Sequence, residues 1–470
     1  MMRTRLLSLL LLLALLPLCP ADADALSAPF FVSGGNLYEQ TAAGTPVLRY
    51  IAPYVPDAAT GGYRKAAIDA VQPQPGGALL IEVAGERILV DKAPLNQTLR
   101  VFRGGNYSVD ALVAAYQAAN PHLELQIIRP WEDPIPSDIY PVTSEGPMAM
   151  RDIRRARNML PLDASPAIAA AHAAYAPLAQ EALAYESGIP FAVPTRMRIH
   201  PWYVDWEMWR ALGWDEDDLP KTADDLFTLL QIWNDQFAAQ YPDRVLLGDD
   251  GFGDFKASLL HLLTYQALFE MDDGTAPLNF DTPAYRALID QVAALPDGLP
   301  TARIDQKPPI LWSLQYGLNP GDPRDAAYRP FLPPDMGMGS GIRIGAMLYG
   351  IAIPENAPNQ PLALDFLAYA ATHPDAEQAD LAALLMPDAA ADGAFAPYLT
   401  FRTNALGGSE AAVELASEMS IALEPTLQMP RPATWPERKE NLIAWLNAAA
   451  RGWFERTYEE ASWYKWTPRE

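Results

Sequence analysis

The chain has 470 residues, about three domain-sized units at roughly 150 residues each. Half of the residues are hydrophobic and a fifth are charged, which excludes a disordered chain, a collagen-like fibre and a polytopic membrane protein. One cysteine and five scattered histidines exclude a disulfide scaffold and a cysteine-ligated metal centre, and a net charge of −24 argues against nucleic acid or an anionic membrane as partner.

The first segment reads as an export signal. Arg3 and Arg5 precede the apolar run Leu6–Leu18, shorter than the about 20 residues that a membrane span needs. Ala23-Asp24-Ala25 then offers small residues before a cleavage site, so residues 1–25 are expected to be removed. Cys19 leaves two outcomes open. It is either lost with the signal or lipid-modified, anchoring the mature protein to the outer membrane face. Leu18 before it, where lipoprotein signals resemble one another in carrying Gly or Ala, weighs against the anchor. The expected location is extracellular or periplasmic.

Residues 26–97 read as a small β module. Phe31–Tyr38, Val47–Tyr50, Ala78–Val83 and Arg87–Asp91 have strand composition, punctuated by Gly34-Gly35, Gly44, Gly61-Gly62 and Gly76-Gly77. One or two four-stranded blades fit this length; a closed propeller does not.

From Leu99 the period changes. Leu99–Phe102 reads as a strand, Ser108 as the N-cap of a helix through Ala119, and Leu123–Ile128 as a second strand. Strand, helix and strand over about thirty residues is a βαβ unit and implies a parallel sheet. Because the signals restart at Leu99, a 98–470 fragment is expected to fold without the module. Further on, Thr222 and Asp225 form a capping-box pattern before a helix from Leu226. Leu362–Ala371, Ala376–Leu385 and Glu437–Ala450 are further helical stretches.

Four segments then follow one another in a telling order. The unit Thr98–Ile128 closes its helix on Ala119-Asn120-Pro121. Gly188–Pro194 is followed by Trp202–Trp209, Gly213 and Pro220-Lys221-Thr222. Tyr349–Asn356 leads into the helix Leu362–Tyr369, and Pro432–Trp435 opens the last helix to Gly452. Together these resemble the extracellular solute-binding proteins of carbohydrate-uptake ABC transporters, the maltose-binding-protein-like family 1. The resemblance covers roughly residues 98–460. It implies an α/β, two-lobed periplasmic-binding-protein-like (type II) fold with interleaved lobes, preceded here by the module. Lobe one would hold 98–198 and 347–402, and lobe two 199–346 and 403–470. Pro194–Pro201, Gly345–Tyr349 and Phe401–Asn404 would be the three crossings. In one departure, only the proline-rich Arg129–Pro136 stands where the family places a longer helix.

A sugar offers apolar C–H faces and a ring of hydroxyls, so aromatic rings and polar side chains bind it. In an open α/β sheet the contacts come from loops beyond the strand ends. That rule selects Asn106 and Tyr107 with Arg103 after the first strand, and Trp131 after the second. After the third it selects Tyr140, Thr143, Ser144 and Glu145. Asn106 and Ser108 equally fit a plain turn and cap. By the resemblance, Arg196 lies in the ligand loop, where an ion pair is the competing role. Tyr316, Tyr349 and Trp435 occupy family aromatic positions, with core packing as the alternative. Trp202, Trp206, Trp209 and Trp233 have packing spacing instead.

Neither a Gly-x-Ser-x-Gly elbow nor a phosphate-binding loop occurs, and the acidic runs at Asp215–Asp218 and Asp249–Asp254 miss the calcium-loop spacing. The expectation is a non-enzymatic, monomeric binding protein without cofactor or metal. Its partners would be a small solute, most simply a carbohydrate, and the permease subunits of an importer. A non-sugar solute such as a peptide, or a surface interaction protein with a degenerate cleft, are the competing readings.

Overall fold

The computed structural model describes residues 29–102, 109–128, 136–144, 150–248, 255–271, 276–296, 307–313, 327–373, 395–401 and 435–455. The signal segment with Cys19 and the expected helix Ala376–Leu385 lie outside them. Contacts divide the chain into two compact units. The first holds the residues up to Leu99 together with Val113–Leu125, and the second holds Arg100–Leu112 and everything from Gln126.

The first unit is built from short antiparallel strands. β1 (Phe30–Ser33), β2 (Asn36–Gln40) and β3 (Pro46–Tyr50) form one sheet. β4 (Tyr54–Pro56) pairs with β5 (Tyr63–Lys65), and β6 (Ile68–Pro73), β7 (Leu79–Val83) and β8 (Glu86–Val90) form another sheet. The expected single strand Phe31–Tyr38 is instead a hairpin. Gly34 and Gly35 both take positive φ, 57° and 77°, the backbone a tight two-residue turn between twisted strands requires. The four-stranded blades are replaced by groups of three, two and three strands. Pro56 and Pro73, which have no N–H to extend a ladder, end two of them. Along β7 burial alternates, and Leu79, Ile81 and Val83 join Phe30, Leu37, Val71 and Val90 in one core.

The end of helix α1 (Asp110–Ala119) belongs to this unit. Asn36 Nδ2 donates to Asn120 Oδ1 at 3.1 Å, and Asn120 Nδ2 donates to Tyr116 O at 3.1 Å. Lys65 Nζ completes the chain by donating to Asn36 Oδ1 at 3.1 Å. The His122 ring stands edge-on to Phe31 and Tyr38, 5.4 and 5.3 Å between centroids. Periodicity alone restarts at Leu99, but packing groups the end of α1 with the strands before it. Asn120→Ala would leave the buried Asn36 amide without its acceptor, at a cost of about 1–3 kcal/mol. A lowered melting midpoint followed by circular dichroism is the expected outcome, and an unshifted one would show that this bond adds nothing.

β9 (Thr98–Phe102) and β10 (Glu124–Ile128) pair as a two-stranded sheet, and the division between units passes along them. In the second unit, β11 (Tyr140–Thr143) is followed by helices α2 (Met150–Ala156), α3 (Pro166–Ala174) and α4 (Pro177–Ala182). Then come β12 (Ala192–His200), β13 (Trp202–Asp205), α5 (Trp206–Ala211) and α6 (Ala223–Ile232). Next are β14 (Val245–Leu247), α7 (Phe255–Met271), α8 (Pro283–Ala294), β15 (Pro309–Ser313) and β16 (Tyr328–Phe331). The chain returns through β17 (Ile344–Ala352), α9 (Gln360–Thr372), β18 (Leu399–Phe401) and α10 (Trp435–Glu455). One sheet has the order β11-β17-β12 with β18 on the flank of β17; the other runs β14-β15-β13-β16.

Two hydrophobic clusters accompany these sheets. One draws on Phe102, Tyr140, Val142, Ile153, Phe191, Met197 and Leu348. The other collects Trp202, Trp209, Leu226, Trp233, Leu263, Ile289, Ile310 and Leu446. Trp202, Trp209 and Trp233 are therefore core residues, and Trp206 packs against them. The expected capping box is formed, with Asp225 N donating to Thr222 Oγ1 at 3.2 Å and Thr222 N donating to Asp225 Oδ2 at 3.0 Å. Among the described residues no helix is long and apolar enough to cross a membrane.

Candidate ligand-binding site

The three strands β11, β17 and β12 bring together three of the residues selected from sequence. β12 contains Pro194, which has no N–H to give to a neighbour. The register slips between Pro194 and Arg196, leaving Thr195 in a bulge, so that Arg196 lands opposite Tyr349 of β17. From the other side, Thr143 of β11 also stands opposite Tyr349. Directly opposed residues share a face of a sheet. Thr143, Tyr349 and Arg196 thus form one row across three strands.

Which way the row faces follows from alternation. Val142, Leu348, Ala346, Met197 and Ala192 belong to the first hydrophobic cluster, and their neighbours in sequence point the other way. Thr143 and Tyr349 are buried, 1% and 6% exposed, whereas Arg196 is partly exposed. A hydroxyl, a phenol and a guanidinium in line offer donors, acceptors, a flat apolar ring and one fixed positive charge. That set suits a polyhydroxylated or anionic small molecule.

The row has a rigid backing. Ser144 N donates to Leu348 O at 2.8 Å and Leu348 N donates to Ser144 Oγ at 2.9 Å, so Ser144 ties β11 to β17. Asp138, buried just before β11, accepts from Arg100 N at 2.8 Å and from Asn359 N at 2.7 Å. It joins β9 to the start of α9. Burial raises its carboxyl pKa, opposed by those two N–H groups. Tyr140 packs nearly edge-on to Phe102, 4.9 Å between centroids, within the core.

Of the residues selected from sequence, the structure brings Thr143, Tyr349 and Arg196 together, with Ser144 at their edge and Tyr140 behind the sheet. Asn106, Tyr107, Trp131, Glu145 and Tyr316 lie outside the described residues, and Trp435 opens α10. The buried Asp138 escaped the sequence reading. Its signal was a lone carboxylate between Ser137 and an apolar strand. Among the described residues no group of three or more His, Cys, Asp or Glu side chains is placed to hold a metal ion.

No protein-family model and no curated protein matches the chain. Solved structures do match it. A solute-binding protein of an ABC transporter from Thermotoga lettingae, bound with α-D-tagatose, is 13% identical. The match covers 75% of this chain and 100% of that one, with a TM-score of 0.51. The sugar-binding protein MalE of Xanthomonas citri is also 13% identical over 75% of this chain and 97% of its own, with a TM-score of 0.51. UgpB of Mycobacterium tuberculosis, in complex with glycerophosphocholine, is 12% identical over 75% and 98%, again with a TM-score of 0.51.

The chain has the two-lobed solute-binding-protein fold. Each of these proteins is covered almost end to end, while about a quarter of this chain falls outside each match. The match therefore takes in nearly the whole of each of these three proteins.

Proposed function

We propose that this protein is the solute-binding component of an ABC importer, holding a sugar or oligosaccharide between two hinged lobes. The observation that carries the reading is the match along nearly the full length of solute-binding proteins. It is a binding reading, with no catalytic role assigned to any residue. Export by the N-terminal segment, with Cys19 either removed or lipid-modified, fits a protein that meets its solute outside the cytoplasm and hands it to permease subunits as a monomer.

The lobe division proposed is 98–198 with 347–402 against 199–346 with 403–470. The two separate hydrophobic clusters support it, since their members fall almost entirely on either side of those boundaries. The long pairing of β12 with β17, from Ala192↔Ala352 to His200↔Gly345, and the parallel pairing of β18 support crossings that lie side by side. A solute touching both lobes binds the closed form better, and that difference in affinity shifts the population.

In this reading Thr143, Tyr349 and Arg196 line the site, joined by Asn106, Tyr107, Trp131, Glu145, Tyr316 and Trp435. Arg196 keeps a second solute class in view, an anionic headgroup such as that of a glycerophosphodiester, which the tuberculosis neighbour carries. Thermal-shift screening against sugars, sugar acids, glycerophosphodiesters and peptides separates these classes. A ligand at 100 times its dissociation constant adds about 2.7 kcal/mol to stability. Small-angle scattering with the solute so found is expected to show a smaller radius of gyration than without it. An unchanged radius at saturation removes the hinge, and a melt that no solute moves removes the transport role.

A further inference from the structure

Helix α7 carries two buried polar side chains one turn apart near its C-terminal end, Gln266 and Glu270. Both grip the segment that leads into β17. Gln266 Nε2 donates to Arg343 O at 2.7 Å. The Glu270 carboxylate accepts from Met336 N at 2.9 and 3.1 Å and from Met338 N at 3.3 Å, while Ser340 Oγ donates to Glu270 O. Between them the Phe269 ring lies so close to Gly345 that a Cβ there would be 1.9 Å from Cζ. Residues 336–345 are thus held against α7 at five residues, four by hydrogen bonds and Gly345 by close packing.

The same segment is fastened to α6. Asp335 N donates to Lys221 O at 2.9 Å and Ala223 N donates to Asp335 O at 3.0 Å, while Asp335 Oδ1 accepts from Gly337 N at 2.7 Å. Asp335 also lies within interaction range of Glu270, and its carboxyl adds to the rise in the Glu270 pKa. The other acids at the start of α6 are engaged elsewhere. Asp225 accepts from Lys221 N and Thr222 N, and Asp224 accepts from Gln291.

We propose that Glu270 is a proton-operated latch which sets how firmly the segment entering β17 is held, and through it the strand that carries Tyr349. When neutral, the carboxyl donates its proton to Asp335 and keeps one oxygen for the backbone N–H groups. When ionised, it is a buried charge near a second one, which draws water in and loosens the contact. Burial pushes the Glu270 carboxyl up to about 7, with Asp335 adding to the rise and the Met336 and Met338 N–H groups opposing it. Between the ordinary value of 4.5 and about 7 the folded chain holds a proton that the unfolded chain has released. Stability therefore falls as pH rises through that window, and the loss is complete above it.

The test needs no solute, so its failure is separate from a failure of the transport reading. Full-length protein and Glu270→Gln, a permanently neutral isostere, are melted between pH 5 and 8. The folding constant of the wild type is expected to fall relative to the variant by up to about tenfold per pH unit, levelling above about 7. Hydrogen exchange, corrected for intrinsic rates, should show the Met336 and Met338 amides losing protection over the same range in the wild type only. Parallel pH profiles in both proteins would overturn the proposal. Asp335→Asn gives an independent arm if the glutamine variant does not fold. Removing the neighbouring charge should move the loss of protection to lower pH, and an unmoved transition would also overturn it.

Discussion

Gly345→Ala is expected to lower the unfolding free energy by about 3 kcal/mol, at the upper end of the usual cost of overpacking. The backbone of β17 passes so close to α7 that the new methyl would lie 1.9 to 2.6 Å from three carbons of the Phe269 ring. That ring is itself buried, so it cannot swing into solvent. Phe269→Ala alone should cost about 3–5 kcal/mol through the cavity it leaves. In the double variant the methyl enters that cavity, so the two losses should sum to less than their separate values by about 1–3 kcal/mol. Urea unfolding of the four proteins measures this. Strictly additive losses would mean that the strand and helix do not meet as described, and would weaken the case for Gly345 as a fixed point of a crossing strand.

Tyr349→Ala should weaken binding of the solute found by screening by about 1–3 kcal/mol, or about 5- to 150-fold, because the row loses its central ring. Tyr349→Phe keeps the ring and separates the hydroxyl's share. Arg196→Lys keeps the charge but loses the planar fork, so it should hurt an anionic headgroup more than a neutral sugar. Titration calorimetry of all three against wild type decides among these. Equal affinity in Tyr349→Ala and wild type would take the tyrosine out of the site and leave it as a strand residue.

Much of the local structure was legible from residues a few positions apart. The Thr222–Asp225 box formed because a hydroxyl and a carboxylate three residues apart reach each other's N–H groups. The packing tryptophans followed from their spacing within apolar runs. The same reading marked Gly34-Gly35 as punctuation but not as a hairpin turn, since a run with strand composition on both sides of two glycines does not say whether it bends. It placed a boundary at Leu99, where the contacts also divide the chain, but not the return of Val113–Leu125 to the first unit, where Asn36 reaches Asn120 across 84 residues. A hydrogen bond over that separation leaves no trace in composition or period.

The site divides in the same way. The sequence by itself selected the segments expected to carry ligand contacts, because strand ends, turn residues and the order of motifs are local properties. It named Thr143, Arg196 and Tyr349 separately. Only the tertiary structure decided that they stand side by side, since this depends on the pairing of three strands distant in sequence and on a one-residue bulge after Pro194. A single-residue slip would turn Arg196 to the opposite face. The buried carboxyls of Asp138 and Glu270 belong to the tertiary structure too, because each is defined by backbone N–H groups from remote segments that close over it only when the chain is folded.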